Sequence, residues 1–492
     1  MILLLLVAIP AACGLLAWPA SRGRSSLGRW ISLAGTVATF VLFVMLWARW
    51  AEARDASSPW LAEASLPWIP SLGINFTLAV DGLSLPFVGL TAFLGIVSVL
   101  ASWKGITERV GFFHMNLLLV LAGVMGVFLA LDLFLFAFFW ELMLIPMYFL
   151  IDLWGHENRH RAAIKFFIFT QVGGLLMLVA IIGLALRHRA VFGILSFDYR
   201  SLLGTALPPA MEWALMLGFF AAFAVKLPVF PLHTWLPDAH TEAPTAGSVV
   251  LAGLLLKTAG YGLIRFVIPL FPFASRSFAP VATALAVAGI LYGGLMAFAQ
   301  NDMKRLVAYT SVSHLGFVLL GIFVFNAQAL TGAVVQMVSH GVSTGALFVL
   351  VGSLQDRIHT RDLERMGGLW KQVPRMGAAA LALAMALVGL PGLVNFVGEF
   401  LVLIGTWRVS PLLAVLAGAS LIVAMVYALR LFGMAFHGSP RETWALPDLS
   451  GVETMVLFGM ILVLVALGLF PSPVIRVVDT VLSGVLAAGG AP

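Results

Sequence analysis

Ionisable side chains isolated within long apolar stretches are the residues of this sequence most able to do chemistry. They share a place near the middle of an apolar segment with few other charges around them: Glu141, Lys226, Lys257, His314, His340 and Glu399. A charge at the centre of a bilayer costs about 2.5–3.5 kcal/mol on insertion scales, so such residues are functional candidates by default. Because carboxylates, amines and imidazoles all bind and release protons, this set predicts a proton relay. Structural polar anchors that fix helix packing are the alternative.

The composition places these residues in a membrane protein. Hydrophobic residues make up 61% of the 492 residues and charged residues 10%, with a mean hydropathy of +1.04. A membrane span needs about 20 mostly apolar residues, and such windows recur along the chain, which predicts an all-α membrane protein with about fourteen transmembrane helices. The sequence has no Walker loop and no HExxH-type metal motif, and one cysteine excludes a cysteine-ligated iron–sulfur cluster within this chain.

Basic residues in the connections predict the orientation. Lys and Arg concentrate in alternate loops, and the positive-inside rule then places both termini on the periplasmic side. These Lys and Arg residues of the loops explain the formal net charge of +6. The charge therefore argues for neither a nucleic acid nor an acidic substrate.

Helix-breaking residues fall at matching places in two groups of helices. Pro228 and Pro231 interrupt the seventh predicted helix, and Gly389-Leu390-Pro391-Gly392 interrupts the twelfth. If helices four to eight form one group and helices nine to thirteen a second, each break lies in the fourth helix of its group. Because each group has an odd number of helices, the two groups have opposite topology, as in transporters with inverted repeats. The predicted domains are residues 1–110 with helices one to three, the repeats 111–275 and 276–438, and 439–492 with helix fourteen and a tail.

The prolines beside Lys226 suggest how such a site would work. A proline frees backbone carbonyls from the helix ladder, and these carbonyls, with water, can solvate a buried amine. Burial disfavours the ammonium form, whereas a nearby carboxylate favours it. Movement of Glu141 relative to Lys226 would therefore load or release a proton. Lys257, His314 and His340 would extend the path, and Glu399 would close it near the other side.

Several further polar residues allow two interpretations. His233, Asp238 and His240 follow the first break, where a proton-uptake funnel and an ordinary polar loop are equally consistent with the sequence. Asp132, between helices four and five, is a weaker candidate that fits a loop residue better. We expect Arg265 to extend to the outer surface, since long cationic side chains snorkel from helix ends.

Four stretches of the sequence resemble one membrane-protein family. WELMLIPMYFLIDLWG, FAVKLPVFPLHTWLPDAH, AFAQNDMKRLVAYTSVSHLGF and GLPGLVNFVGEF are similar to the antiporter-like membrane subunits of bacterial NADH:quinone oxidoreductase, respiratory complex I. The resemblance extends from about Asp81 to the last predicted span. It implies that Glu141 pairs with Lys226 and that Lys257 is the central relay. It also implies that His314 and His340 lie on the axis joining two half-channels, with Glu399 on the exit side.

The resemblance also implies a function and partners. The chain would move protons across the bacterial inner membrane, driven by redox chemistry in other subunits, where FMN, iron–sulfur clusters and quinone would bind. No cofactor is expected in this chain. Its partners would be other membrane subunits, including neighbouring antiporter-like subunits and a lateral helix, within the lipid bilayer. A subunit of a cation/proton antiporter or membrane-bound hydrogenase-type complex is the nearer alternative, and a purely structural membrane subunit the more distant one.

Overall fold

The computed structural model describes residues 1–52, 60–442 and 444–488 and is mostly helical. The first helices are α1 (Ile2–Ala20), α2 (Ser25–Glu52), α3 (Leu85–Ala101), α4 (Val110–Leu129), α5 (Leu133–Leu142), α6 (Leu144–Trp154), α7 (Arg159–Phe192), α8 (Tyr199–Leu202), α9 (Pro209–Lys226) and α10 (Trp235–Glu242). The others are α11 (Thr245–Val250), α12 (Leu256–Gly262), α13 (Ile268–Leu270), α14 (Pro272–Phe298), α15 (Met303–Phe323), α16 (Ala327–Ile358), α17 (Pro374–Val388), α18 (Val394–Val409), α19 (Pro411–Phe436), α20 (Gly451–Leu469) and α21 (Ser472–Ala488).

The helices confirm the predicted class of an all-α membrane protein. Within the described ranges, 12 helical stretches are long and apolar enough to cross a membrane. The shorter helix α3 and the interrupted pair α17 and α18 supply the remaining crossings of the predicted bundle. The exact bounds 111–275 and 276–438 of the two inverted repeats stay a prediction.

Both predicted helix breaks are present. Helix α9 ends at Lys226, and helical structure resumes at Trp235 after a stretch that includes a cis Phe230–Pro231 peptide bond. Helix α17 ends at Val388, where Gly389 has a φ of 73°, a left-handed conformation that glycine adopts without steric penalty. Helix α18 then begins at Val394. Each break therefore leaves a helix end beside an ionisable residue of the predicted relay.

Three central segments form the middle of the bundle. The most apolar windows of Thr245–Leu270, Met303–Phe323 and Ala327–Ile358 are wholly buried, whereas that of Gly451–Leu469 is only 22% buried. These central segments carry Lys257, His314 and His340. The helices with alternating exposed apolar positions therefore surround them and face lipid.

Some elements had no counterpart in the sequence analysis. Strands β1 (Ala62–Ile69) and β2 (Ile74–Val80) form an antiparallel hairpin at the end of the bundle where α4 ends. Two wider, π-helical turns, Leu251–Leu255 and Leu263–Val267, flank α12 on both sides. Turns of this kind occur often at functional sites. Here they enclose the helix that carries Lys257.

A buried row of ionisable side chains as the candidate functional site

Lys257 and His340 form the centre of the row. Lys257 Nζ lies 2.6 Å from His340 Nδ1 and also donates to the carbonyl of Ala252 within the first wider turn. Both side chains have an exposed fraction of 0%. An ammonium group can only donate, so His340 Nδ1 must be the acceptor while Lys257 is charged. The two residues therefore form a pair across which a proton can pass directly.

His314 and Glu399 form a second pair on α15 and α18. His314 Nδ1 lies 2.6 Å from Glu399 Oε1, and Gln336 Nε2 donates to the same carboxylate oxygen at 2.9 Å. The hydroxyl of Tyr427 lies 3.3 Å from His314 Nε2. These contacts hold a carboxylate and an imidazole together next to the second helix break. They create a site that binds one proton between two groups.

The two pairs are close to each other. The ring centroids of His314 and His340 are 6.0 Å apart, and both rings are buried. One bridging water would span such a gap, since buried waters commonly link polar groups that have no direct partner. The predicted series Lys257, His340, His314 and Glu399 is thus brought together by four different segments.

Lys226 and Glu141 are arranged differently from the simple ion pair that the resemblance implies. Lys226 Nζ lies 3.6 Å from the centroid of the Trp140 ring, a cation–π contact, and the lysine is 2% exposed. Among the described residues, Glu141 and Lys226 form no ion pair within 4.0 Å, although their charges act on each other. Gly174 leaves room for the Glu141 carboxylate, because a methyl group there would overlap Oε1. The carboxylate and the amine therefore act on each other through their charges without a direct ion pair.

The residues after the first break occupy three distinct places. Asp238 pairs with Lys165 at 2.7 Å and with Arg305 at 3.3 Å, and it is 30% exposed. His233 is buried with its ring 5.1 Å from that of Tyr292. His240 is completely buried, stacked 4.7 Å from Phe348, and neither of its ring nitrogens has a hydrogen-bond partner within the described residues. His240 is therefore the least explained polar group of the three.

Asp132 is the N-terminal cap of α5. Its carboxylate accepts hydrogen bonds from the backbone N–H groups of Phe134, Leu135 and Asn75 at 2.9–3.1 Å. Burial raises the pKa of this carboxyl group, and the three backbone donors act in the opposite direction. These contacts favour the interpretation of Asp132 as a structural residue of the connection.

Substitution of Asp132 distinguishes capping from proton transfer. We expect Asp132→Ala to lower the stability of the chain by about 1 kcal/mol, because an N-cap is lost, and Asp132→Asn to stay near the parent, because asparagine also caps helices well. Heat-induced unfolding of the purified complex measures both. A loss of proton transport in a stable Asp132→Asn variant would instead assign the carboxyl group to the relay.

The expectation for Arg265 is wrong. Its side chain is 4% exposed and its guanidinium Nη2 lies 2.6 Å from both carboxylate oxygens of Asp81. The guanidinium also lies 5.2 Å from the ring of Trp60. A buried carboxylate therefore holds Arg265 inside the protein, and the sequence contains no local signal for a partner so distant along the chain.

A polar cavity lies at one end of the bundle and was also missed. This end, where α6, α10 and α16 end and α7 and α15 begin, is called the inner end after its predicted orientation. The cavity has a volume of about 840 Å³. It is lined by Lys104, Gly105, His156, Glu157, Asn301, Asp302, Gln355, Asp356, His359, Thr360, Arg361 and Asp362. Such a polar, open space admits water to the inner end.

An apolar helical bundle with two broken helices and connected, buried ionisable groups is typical of the antiporter-like class of membrane subunits. The family described as NADH:quinone oxidoreductase/Mrp antiporter, transmembrane, matches residues 130–424. NADH-quinone oxidoreductase subunit M of Pseudomonas aeruginosa is 52% identical, covering 99% of this chain and 97% of the relative.

Solved structures agree with that match. A chain of respiratory complex I from Thermus thermophilus is 33% identical, with a TM-score of 0.89 over 99% of both chains. A chain of the Mrp complex from a Dietzia species is 21% identical with a TM-score of 0.86, over 98% of this chain and 97% of the other, and shares the fold. The chain belongs to the NADH-quinone oxidoreductase subunit M family, and it is a multi-pass protein of the bacterial inner membrane.

Proposed function

We propose that this chain carries protons across the membrane as part of an NADH:quinone oxidoreductase complex, through Glu141, Lys226, Lys257, His340, His314 and Glu399. The observation that carries the proposal is the pair of direct contacts at 2.6 Å, Lys257 to His340 and His314 to Glu399, inside an otherwise apolar bundle. Burying such groups without a functional reason would be costly. Family membership supplies the redox partner that drives the transport.

The orientation of the chain and its lack of a cofactor belong to the same proposal. Both termini lie on the periplasmic side, which the concentration of Lys and Arg at the inner end supports. The chain itself carries no FMN, iron–sulfur cluster or quinone, and its role is limited to proton movement. The described residues contain no group of three or more His, Cys, Asp or Glu side chains that could hold a metal ion.

The contacts within the row support one sequence of proton transfers as part of the proposal. When Glu141 approaches Lys226, the ammonium form is favoured; when it withdraws, desolvation favours release of the proton. A proton held by Lys257 passes from Nζ to His340 Nδ1, across to His314 and finally to Glu399. Each step moves one proton between nitrogen or oxygen atoms, and the donor returns to its earlier form when the next proton arrives.

Co-purification separates this function from an ion-gradient antiporter. We expect the chain, extracted from native membranes in mild detergent, to migrate with flavin and NADH-oxidising activity, because the redox subunits are its partners. Migration with hydrophobic subunits alone, without flavin, would contradict the proposal and favour an antiporter. A redox complex lacking flavin would favour the hydrogenase-type alternative.

A further inference from the structure

His156 and Lys304 lie between the inner cavity and the buried row. His156 lines the cavity, and its Nε2 lies 3.1 Å from Nζ of Lys304, which is 1% exposed. Lys304 therefore contacts the imidazole of a cavity residue while it is itself almost wholly shielded from water. An imidazole between an aqueous space and a buried amine is the arrangement expected of a proton shuttle.

We propose that His156 and Lys304 form the proton-uptake site of the inner cavity and pass protons through His240 to Lys257. This inference rests on the proposed function and names where its protons enter the bundle. It assigns roles to His156 and Lys304, which the sequence did not single out. It also gives a role to His240, which is fully buried without a hydrogen-bond partner among the described residues.

The surroundings of His156 keep its imidazole neutral. Burial, then the charges of Lys304 and Arg361, lower the pKa of His156 to about 4. The other charged residues that line the cavity are the basic Lys104 and the acidic Glu157, Asp302, Asp356 and Asp362, and the backbone N–H of His156 donates to the carbonyl of Glu242. Because burial and the two basic groups both disfavour the imidazolium, an imidazolium formed there would release its proton readily, which is what a transfer group requires.

Lys304 connects the cavity wall to the broken helix. Its Nζ donates to the carbonyl of Ala243 at 3.1 Å, immediately after the end of α10. His240 lies one turn earlier on α10, and the charges of both Lys257 and Lys304 act on it. Its two ring nitrogens have no partner among the described residues, so one can donate a hydrogen bond to water and the other can accept one. His240 is thus close enough to both buried amines for their charges to act on it.

The proton balance of the uptake step is simple. Lys304 first releases one proton inward, towards His240, and becomes a neutral amine. His156, with its N–H on Nε2, takes a proton from cavity water on Nδ1 and gives the Nε2 proton to that amine. The imidazole is neutral before and after, exchange of its N–H proton through cavity water returns it to the first tautomer, and only N–H and O–H bonds are made or broken.

Contacts around α10 show how this step can be coupled to movement. Glu242 Oε2 accepts from the backbone N–H of Asn158 at 2.9 Å, and the backbone N–H of His156 donates to the Glu242 carbonyl at 2.9 Å. Arg361 bonds the Thr241 carbonyl and pairs with Asp302 at 2.9 Å. Any displacement of α10 would therefore move His240 and His156 together.

Replacement of His156 by alanine tests the proposal, since free imidazole can enter the cavity. In the assembled complex, we expect His156→Ala to lower NADH-driven proton pumping by about tenfold or more, because a positioned acid–base group contributes a factor of about 10²–10⁴. Added imidazole should restore pumping. The control is His160→Ala, which removes the exposed histidine paired with Asp152 near the start of α7 and should change nothing.

The outcomes separate the uptake site from the proposed function. Normal pumping by assembled His156→Ala overturns the uptake site, and so does a loss that imidazole fails to restore, because His156 is then structural. The conservative variant His156→Gln, which keeps a hydrogen-bond acceptor for Lys304, should also lose pumping. Normal pumping by Lys257→Met, in contrast, would contradict the relay itself.

Discussion

Lys257→Met is expected to abolish most proton pumping while the complex assembles. Methionine fills a similar volume as a flexible apolar side chain, so the packing around α12 is kept. The loss of the donor leaves His340 Nδ1 and the Ala252 carbonyl without their partner, which costs about 1–3 kcal/mol per group. That cost is small for a large complex, whereas the relay loses its central proton carrier. We expect pumping by reconstituted complex to fall by about tenfold or more.

The matched control for Lys257→Met is Lys371→Met. Lys371 is exposed in a short turn before α17, so its loss should change neither assembly nor pumping. Pumping is measured as the acidification of proteoliposomes per NADH oxidised, alongside the amount of assembled complex. An assembled Lys257→Met variant that pumps as well as the control would exclude Lys257 from the proton path.

Lys226→Ala and Glu141→Gln are expected to have the second largest effect. Glu141→Gln keeps the shape of the side chain beside Gly174 but removes the charge that favours the ammonium form of Lys226. Lys226→Ala removes the cation over Trp140. Both variants should assemble and pump at least about tenfold less, because a positioned acid–base group is lost in each.

The structural-subunit alternative makes the opposite prediction for these variants. If Glu141 and Lys226 only fix helix packing, the variants should assemble poorly or unfold at a lower temperature, and the assembled fraction should pump normally. Glu108→Gln, which changes an exposed carboxylate before α4, is the control for the change of charge. Pumping and thermal stability measured on the same preparations decide between the two explanations.

The sequence predicted the helical breaks and the isolated charges well because both signals are local. Pro228, Pro231 and the Gly389 to Gly392 stretch act on their own backbone, and a lone Lys or Glu in an apolar window is visible without a partner. Lys304 was not predicted to be buried, because its burial has no local signal in the sequence. It stands beside Arg305 near a predicted interface, and only the packing of His156 against it reveals that it is buried.

Contacts between residues far apart in the sequence explain why the location of Arg265 was predicted wrongly and why the contact of Lys226 with Trp140 was not predicted. Arg265 was expected at the surface because a helix-end arginine usually snorkels, but Asp81 reaches it from far along the chain. The contact of Lys226 with Trp140 instead of Glu141 is equally invisible in sequence, since it depends on side-chain geometry at the meeting of α5 and α9. The π-helical turns around α12 have no recognised sequence signature here.

These wider turns allow the helix that carries Lys257 to rotate about its own axis. The second turn contains Arg265, which Asp81 fixes in place, whereas the first contains the Ala252 carbonyl that accepts from Lys257. A wider turn holds one extra residue, and rewinding it to an ordinary α-turn would rotate the flanking segment by about 100°. Such a twist would turn the amine away from one partner and towards another without any sliding of whole helices.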